Sequence, residues 1–506
     1  MKKVIKLTNM DFPDPDVIRV GDTYYMISTT MHFCPGAQIL SSKDLVHWQH
    51  SSYVYDIPEV TPARCLENSS HIYGKGMWAA SLRFYNGTFY VCFVANDTHK
   101  TYLYRSNSIQ GPWKMNEIEG FYHDCSLLFD DGRVFIVYGN TQIYITELND
   151  SLTGPKKGGL NKMIIEDGGD IRLGYEGAHF YKMNGKYYLF LIHWPNTGEA
   201  RRTESCFVAD SLEGEWVGKD IYDWDGGFRH SGVAQGGIVD TPEGDYYAIM
   251  FQDSGAVGRI PVLVPMEFVD GWPCLCTTPE EEYGSVIHQK NGEELYCSGF
   301  SSLDNRELLH PLWQWNHIPD PQLYKLKEDK LTIQTGKTVK ALTVARNILT
   351  QRMIYPGCAA EVTVNAQMLQ NGDLAGICAL EGSFGLIAIT KRKDQYYLVM
   401  RKRADNGEVW GYEDQEAADE LCEEICYDGD TVTFRLEASF EENDEALFYY
   451  KKDSEWKMLG CRHNLIFRLD HFTGCRFGLF SYATKESGGS AEFSNFRYEC
   501  SYEKKQ

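Results

Sequence analysis

No apolar run in the 506-residue sequence approaches the roughly 20 residues that a membrane-spanning helix needs. The N-terminal segment 1–6 is followed almost at once by polar Thr8 and Asn9, so no signal peptide is expected there. Positive charge is also scarce, since 49 Lys and Arg residues stand against 71 Asp and Glu residues. Because clustered basic residues bind phosphate backbones and anionic lipids, the sequence argues against nucleic-acid and membrane partners.

The fifteen cysteines lack the arrangement of a disulfide framework or of a zinc site. Their number is odd, and most lie among apolar neighbours. The closer pairs, Cys274 with Cys276 and Cys422 with Cys426, lack the second pair and the histidines of a zinc site. This pattern favours reduced, packed thiols and predicts a cytoplasmic protein.

Long helical periodicity is missing too, and a β-hairpin signature recurs five times instead. Each copy has an apolar run, a turn containing glycine, and a second run rich in aromatic and β-branched residues. The turn glycines are Gly21, Gly87, Gly132, Gly185 and Gly244, with spacings of 66, 45, 53 and 59 residues. Five repeats that each carry several strands predict a five-bladed β-propeller over residues 1–275.

The rest of the chain has a different pattern. Residues 276–305 are charged and contain Gly and Ser, which predicts a linker. Beyond them, stretches such as 359–364 and 432–437 alternate apolar and polar residues with a period of two. This alternation predicts an antiparallel β-sandwich over residues 306–506, so the fold class is all-β.

Three acidic residues occupy matching places in the repeats. Asp14, Asp124 and Glu176 lie seven, eight and nine residues before the turn glycines of blades one, three and four. Asp14 is also held stiffly, because a proline precedes it and another follows it. The first strand of each propeller blade lines the central axis, so we expect these carboxyl groups to converge.

The corresponding places in blades two and five hold neutral residues, Ala79 or Ala80 and Ala234 or Gln235, which leave room for a ligand. Three acids that converge without obvious cationic partners repel one another and raise at least one pKa. A protonated carboxylic acid that faces an ionised one is what hydrolysis of a glycosidic bond uses.

Several motifs in this order resemble glycoside hydrolase family 43. They are FPDPD at 12–16, DCSLLFDDG at 124–132, EGAH at 176–179, and VGR at 257–259 followed by DGWP at 270–273. The C-terminal motifs are similar to the concanavalin-like sandwich of the β-xylosidase branch of that family: WQWN at 313–316, LTQR at 349–352 and GDLAG at 372–376.

The resemblance implies an inverting hydrolase that acts on non-reducing-end pentose units. Asp14 would be the general base that activates water, and Glu176 the general acid that protonates the leaving oxygen. Asp124 would raise the pKa of the acid and orient it. Inversion needs space for a water molecule, so the carboxyl groups of Asp14 and Glu176 are expected roughly 6.5 to 9.5 Å apart.

The resemblance also implies substrate-binding residues. Trp78 matches a tryptophan on the pocket wall, with a core tryptophan as the alternative. Arg259 matches an arginine that binds sugar hydroxyls, with a structural salt bridge as the alternative. Phe33 is expected at the pocket rim, and Met31 stands where the family often has phenylalanine.

The clearest departure from the family lies in blade five. Family members commonly place a histidine just before the Gln-Gly-Gly turn, where it serves the central cavity and, in some members, an ion; here the residue is Ala234. His230 is close by in sequence and is the candidate substitute. No cofactor is expected for the chemistry. A structural cation such as calcium is compatible with the family, but no metal ligand is assigned.

The sequence therefore predicts an exo-glycosidase that acts on short hemicellulose-derived oligosaccharides, as a β-xylosidase, an α-L-arabinofuranosidase, or both. Two other classes stay open. One is a non-catalytic carbohydrate-binding propeller. The other is a retaining fructan-type hydrolase, whose carboxyl groups would lie only about 5 to 5.5 Å apart. The expected partner is a small oligosaccharide, and the sequence leaves open whether the chain forms a homo-oligomer.

Overall fold

The computed structural model describes residues 3–277 and 295–500. These residues form 37 β-strands, numbered here along the chain, and three short 3₁₀ turns at Ala63–Cys65, Gly255–Val257 and Leu342–Val344. The all-β prediction is confirmed. The described part of the chain has no helix that is long and apolar enough to cross a membrane.

The N-terminal half is a five-bladed β-propeller, as predicted, and each blade is an antiparallel sheet. Blade one contains β2 (Asp16–Val20), β3 (Thr23–Ser28), β5 (Gly36–Ser42) and β6 (Gln49–Tyr55). Blade two contains β7 (Met77–Tyr85), β8 (Thr88–Ala95), β9 (Lys100–Ser106) and β10 (Lys114–Ile118). Blade three contains β11 (Ser126–Asp130), β12 (Arg133–Asn140), β13 (Gln142–Leu148) and β14 (Asn161–Glu166). Blade four contains β15 (Ile171–Met183), β16 (Lys186–Pro195), β17 (Thr203–Ala209) and β18 (Val217–Tyr222).

Blade five closes the ring with a strand from the other end of the chain. It contains β19 (Val233–Asp240), β20 (Tyr246–Asp253), β21 (Arg259–Val269) and β22 (Trp272–Leu275), together with β1 (Ile5–Lys6). Strand β1 pairs antiparallel with β21, with Ile5 opposite Leu263. The first and last parts of the propeller sequence therefore hold each other in place.

The predicted hairpins form because their turns contain residues that tolerate a left-handed backbone. Between β7 and β8, Asn86 has φ 48° and Gly87 has φ 77°. These two positive angles are typical of a two-residue hairpin turn, and Asn-Gly is favoured there. Apolar residues of neighbouring blades then pack face to face, as Ile39 and Phe93 do in the core between blades one and two.

An ion pair occupies the propeller axis at the level of the inner strands. Arg83 Nη1 donates to Asp16 Oδ2 over 2.6 Å, and Arg83 Nη2 donates to Ser126 Oγ over 2.7 Å. Asp16 Oδ2 also accepts from the backbone NH of Leu82 over 2.7 Å. Because both charges are buried and hydrogen-bonded, the network links blades one, two and three around one point.

Two eight-stranded antiparallel sheets form the C-terminal sandwich, also as predicted. One sheet contains β23 (Gln314–Asn316), β26 (Ile348–Arg352), β28 (Asp373–Leu380), β29 (Gly385–Arg392), β30 (Gln395–Lys402), β31 (Glu420–Tyr427), β36 (Arg476–Ala483) and β4 (Phe33–Cys34). The other contains β24 (Tyr324–Lys327), β25 (Lys330–Gln334), β27 (Gly357–Asn365), β32 (Thr431–Ser439), β33 (Glu445–Lys452), β34 (Glu455–Met458), β35 (His463–Asn464) and β37 (Ser490–Cys500).

The propeller and the sandwich are joined by a strand pairing. Strand β4 comes from the propeller sequence but pairs with β23 of the sandwich, with Cys34 opposite Trp315. Of the predicted linker, 276–305, residues 278–294 lie outside the described residues. Its C-terminal end packs on the sandwich, where Tyr296 stacks on Tyr498 with ring centroids 4.5 Å apart and Phe300 is fully buried.

Candidate active site

A residue with a left-handed backbone lies within two residues of the first residue of the inner strand in three blades. Asp14, Asp124 and Gln235 have φ angles of 52°, 47° and 54°. Such angles are uncommon outside glycine, and they cluster at functional sites, where surrounding structure enforces them. The shared angle identifies Gln235, rather than Ala234, as the blade-five equivalent of the two acids.

In blade four the residue with the left-handed backbone is a glycine. Glu176 lies at an irregularity in the pairing of β15 with β16, and Gly177 after it has φ 64°. A Cβ atom on Gly177 would lie 2.6 Å from Cδ of the Gln235 side chain. Glycine is therefore required for the backbone angle and for the close approach of blade five.

Asp14 is held by one partner on each carboxylate oxygen. Thr29 Oγ1 donates to Oδ2 over 2.7 Å, and Arg259 Nη1 donates to Oδ1 over 2.8 Å. Arg259 therefore forms a salt bridge with the proposed base, which was the alternative interpretation of this residue. A carboxylate oxygen can accept two hydrogen bonds, and in the described part of the chain each Asp14 oxygen has this one donor, which leaves a position for water on each.

Glu176 is fixed by residues from blade three. Its Oε2 accepts a hydrogen bond from Asn140 Nδ2 and lies 3.3 Å from His123 Nε2. The His123 Nε2 atom is also 3.8 Å from Asp124 Oδ1. One histidine thus bridges two of the three predicted acids.

This histidine corrects the expectation that the acids lack cationic partners. Burial opposes the charge on His123, but the Asp124 carboxylate and the hydrogen bond to Glu176 outweigh burial and raise the pKa of His123 to about 9. Burial raises the pKa of Asp124 to about 7; His123 opposes this rise, while the charges of Glu176 and Asp14 add to it. The signal in the sequence was the position of His123, directly before Asp124.

The same cluster contains three side chains whose donor atoms are close enough together to hold a metal ion. One atom each from His123, Asp124 and Glu176 lies within 4.8 Å of the other two. Ala234, which stands where the family commonly has a histidine, offers no side-chain ligand for a cation and is buried in a cluster with Ile192 and Phe251.

An aromatic wall stands beside the acids, and half of it comes from the sandwich. The Trp78 ring lies 5.7 Å from His123 and 5.9 Å from Phe472, which precedes β36. The Arg259 guanidinium lies 4.3 Å from the Phe472 ring centre, and Arg259 Nη2 donates to the Phe472 carbonyl over 3.3 Å. Phe472 was missed because nothing in its local sequence points to the propeller.

The remaining predicted residues contact other parts of the protein. Phe33 is buried in β4, with the Arg476 guanidinium 3.5 Å from its ring centre. Met31 is buried and its backbone pairs with Met77, next to Trp78. His230 is exposed and contacts the carbonyl of Glu199 over 2.6 Å. We therefore expect Met31 to support the strand that carries Trp78.

Comparison with known proteins gives the same division of the chain. The family model "Glycosyl hydrolases family 43" matches residues 6–273, and "Beta xylosidase C-terminal Concanavalin A-like domain" matches residues 304–499. A "Beta-xylosidase" from Formosa agariphila is 24% identical over 97% of this chain and 89% of its own length. A "Non-reducing end alpha-L-arabinofuranosidase BoGH43B" from Bacteroides ovatus is 31% identical over 53% of this chain and 52% of its own length.

Solved structures are similar over nearly the whole chain. A "Bifunctional GH43-CE" protein from Bacteroides eggerthii has a TM-score of 0.88 and 36% identity, with 99% of this chain covered; this chain spans 64% of that longer protein. A second structure, of an engineered GH43 glycoside hydrolase, has a TM-score of 0.85 and 25% identity. The match covers 99% of this chain and 99% of that protein. Its description names "both endo-xylanase and exo-arabinofuranosidase activity".

Proposed function

The chain belongs to glycosyl hydrolases family 43, and on this premise we propose that it is an inverting exo-glycosidase. It removes terminal β-D-xylosyl or α-L-arabinofuranosyl residues from short hemicellulose-derived oligosaccharides. The observation that carries the proposal is the distinct placement of two acids in one pocket. Asp14 is held by Arg259 and Thr29, whereas Glu176 is held by Asn140 and His123.

In the proposed mechanism these two groups divide the work. Asp14 accepts a proton from a water molecule as the water oxygen attacks the anomeric carbon, and the glycosidic C–O bond breaks. Glu176 gives its proton to the departing oxygen, so that the leaving sugar departs neutral. Asp124 and His123 orient the carboxyl group of Glu176. The balance is one water consumed and two sugars released, so the reaction itself requires no cofactor.

The preference for chain ends is supported by the sandwich. Phe472 and its carbonyl contact Arg259, the partner of Asp14, so residues of the second domain cover one side of the catalytic pocket. A pocket closed on one side accepts the end of a chain more readily than its middle. All fifteen cysteines are free, which supports a reducing, cytoplasmic setting with imported oligosaccharides as substrates.

The test uses the purified protein with nitrophenyl β-D-xyloside and, separately, nitrophenyl α-L-arabinofuranoside, and follows the first-formed anomer by NMR. We expect turnover of at least one substrate with inversion of configuration. Retention would support the fructan-type mechanism. Binding of xylobiose without release of xylose would support a carbohydrate-binding protein. Either of these outcomes contradicts the proposal.

Phe472→Ala should lower kcat/KM for the better nitrophenyl substrate by about 10-fold. The loss of a cation–π and stacking partner worth about 1 to 2 kcal/mol would leave Arg259, and with it Asp14, less well fixed. Steady-state kinetics provide the measurement. Phe84→Ala, which removes a 40% exposed ring from blade two, is the matched control and should change kcat/KM by less than about twofold. An equal loss in both variants would exclude a role for the sandwich in the site.

A further inference from the structure

We propose that Arg202 and Gln235, on blades four and five, bind hydroxyl groups of the terminal sugar and select it. This inference deepens the glycosidase activity proposed above and rests on it. Neither residue was predicted as a site residue from the sequence. Both carry polar groups that the protein positions but does not use.

Arg202 is anchored by one side of its guanidinium only. Its Nε donates to Asp253 Oδ2 over 2.7 Å, and its centre lies 5.5 Å from the rings of both Trp194 and Phe251. Across residues 3–277 and 295–500, neither terminal nitrogen of Arg202 has a hydrogen-bond acceptor. The fork is therefore held in place with its two NH₂ groups unused.

The Phe251 ring places this fork beside Arg259, the partner of Asp14, because the Arg202 and Arg259 guanidinium centres lie 5.5 and 5.3 Å from the centre of that ring. Burial opposes the charge, but the carboxylates of Asp253, Glu176 and Asp14 together raise the pKa of Arg202. The guanidinium is thus within electrostatic reach of both proposed catalytic acids. Its side chain is 15% exposed, so a ligand has access to it.

Gln235 enters the same pocket from blade five. Its left-handed backbone places it as the equivalent of Asp14 and Asp124, and its amide lies against Gly177, next to Glu176. The backbone NH of Gln235 donates over 2.7 Å to Oε2 of Glu204, a residue that is only 1% exposed. In the described chain, the side-chain amide of Gln235 has no hydrogen-bond partner.

The hydroxyl groups of a sugar can provide hydrogen-bond partners for the Arg202 guanidinium and the Gln235 amide. Donors that stay unpaired in a closed pocket cost free energy, and hydroxyl groups can satisfy them. The arginine fork spans two neighbouring hydroxyls, and the glutamine amide both donates and accepts. A site built this way discriminates strongly against an analogue that lacks the contacted hydroxyl, because its own polar groups are then left unpaired.

The neighbouring arginine provides a contrast. Arg201 uses all of its fork: Nε and Nη2 donate to Asp223, over 2.6 and 3.1 Å, and Nη1 lies 2.7 Å from Asp225. A purely structural arginine in this segment therefore has its partners in the protein. Among the described residues, Arg202 has such a partner only for Nε, and Arg201 therefore serves as the matched control.

The experiment compares variants on a nitrophenyl β-xyloside and on its 2-, 3- and 4-deoxy analogues. On the parent substrate, Arg202→Met should lower kcat/KM about 10- to 100-fold and Gln235→Ala about 3- to 10-fold. On the analogue without the contacted hydroxyl, the ratio of variant to wild type should return to within about threefold of one. Because the comparison uses ratios, the intrinsic reactivity of each analogue cancels. Arg201→Met should stay within about twofold of wild type on all four substrates.

A loss of equal size on the parent and on every deoxy analogue would overturn the inference, since it would show a structural role. Thermal unfolding establishes that each variant is folded. If Arg202→Met is not, Arg202→Lys keeps the charge and removes the fork, and should show the same dependence on hydroxyls. Inactivity of the wild type on both nitrophenyl glycosides would instead count against the proposed function. An arabinofuranoside series replaces the xylosides if the wild type prefers that sugar.

Discussion

Glu176→Gln should lower kcat/KM for xylobiose about 1,000-fold while reducing that for a dinitrophenyl xyloside only about 10-fold. A sugar leaves as an alkoxide unless its oxygen receives a proton, so the reaction of xylobiose depends on the general acid. Dinitrophenolate is stable without a proton and needs little such help. General acids contribute about 10²- to 10⁴-fold to their reactions, which sets the scale of the expected difference.

The amide variant suits this test because Asn140 can still donate a hydrogen bond to the remaining carbonyl oxygen of the side chain. The geometry of the pocket is therefore kept while the proton is removed. Steady-state kinetics on both substrates provide the measurement, with Glu199→Gln, at an exposed position, as the control. Equal losses on both substrates would refute the assignment of Glu176 as the acid.

Asp14→Asn is expected to lower kcat/KM by about 10⁴-fold on both substrate classes. The attacking water must lose a proton whatever group departs, so an activated leaving group cannot compensate for a missing base. Asparagine also cannot form the charged contact that Arg259 Nη1 makes with Asp14 Oδ1 over 2.8 Å. The contrast with Glu176→Gln, whose effect depends on the leaving group, separates the base from the acid.

Rescue by azide sharpens the Asp14 experiment. Azide attacks without losing a proton, so it should restore turnover of the dinitrophenyl xyloside by the Asp14→Asn variant and yield a glycosyl azide. Product analysis by NMR is the measurement, and Asp22→Asn, in the exposed first hairpin turn, is the control. A variant that azide does not rescue, or one that loses activity on xylobiose alone, would contradict the role of Asp14 as the base.

The propeller could be predicted because its information is local. Each hairpin turn carries its own glycine, as at Asn86-Gly87, and each blade repeats the same order of apolar and turn residues. Local sequence also gave the places of Asp14, Asp124 and Glu176, since each precedes a turn at a nearly constant distance. Repetition provided the alignment that a single copy would not have.

What the sequence could not provide depends on contacts between distant segments. Phe472 lies more than 200 residues from Arg259, and no local pattern indicates that the two touch. Phe33 was expected at the pocket rim, but β4 pairs with the sandwich and buries its ring under Arg476. The unpaired NH₂ groups of Arg202 likewise became visible only when Asp253 was located as the one hydrogen-bond partner of this side chain within residues 3–277 and 295–500. Each case is a matter of tertiary packing rather than of local conformation.

Strands β1 and β4 have partner strands that are synthesised much later, so these two pairings form late when the protein folds during synthesis. Strand β1 pairs with β21 and β4 pairs with β23, and each pairing spans more than 250 residues of sequence. Pairings this distant in sequence form slowly, and an unpaired strand edge is prone to aggregate while it waits. Blade one is synthesised first. Strand β4, which lies between β3 and β5 in the sequence, can pair with β23 only after residues 314–316 have been synthesised. A propeller expressed without the sandwich would leave β4 without β23, the partner strand that it has in the full chain.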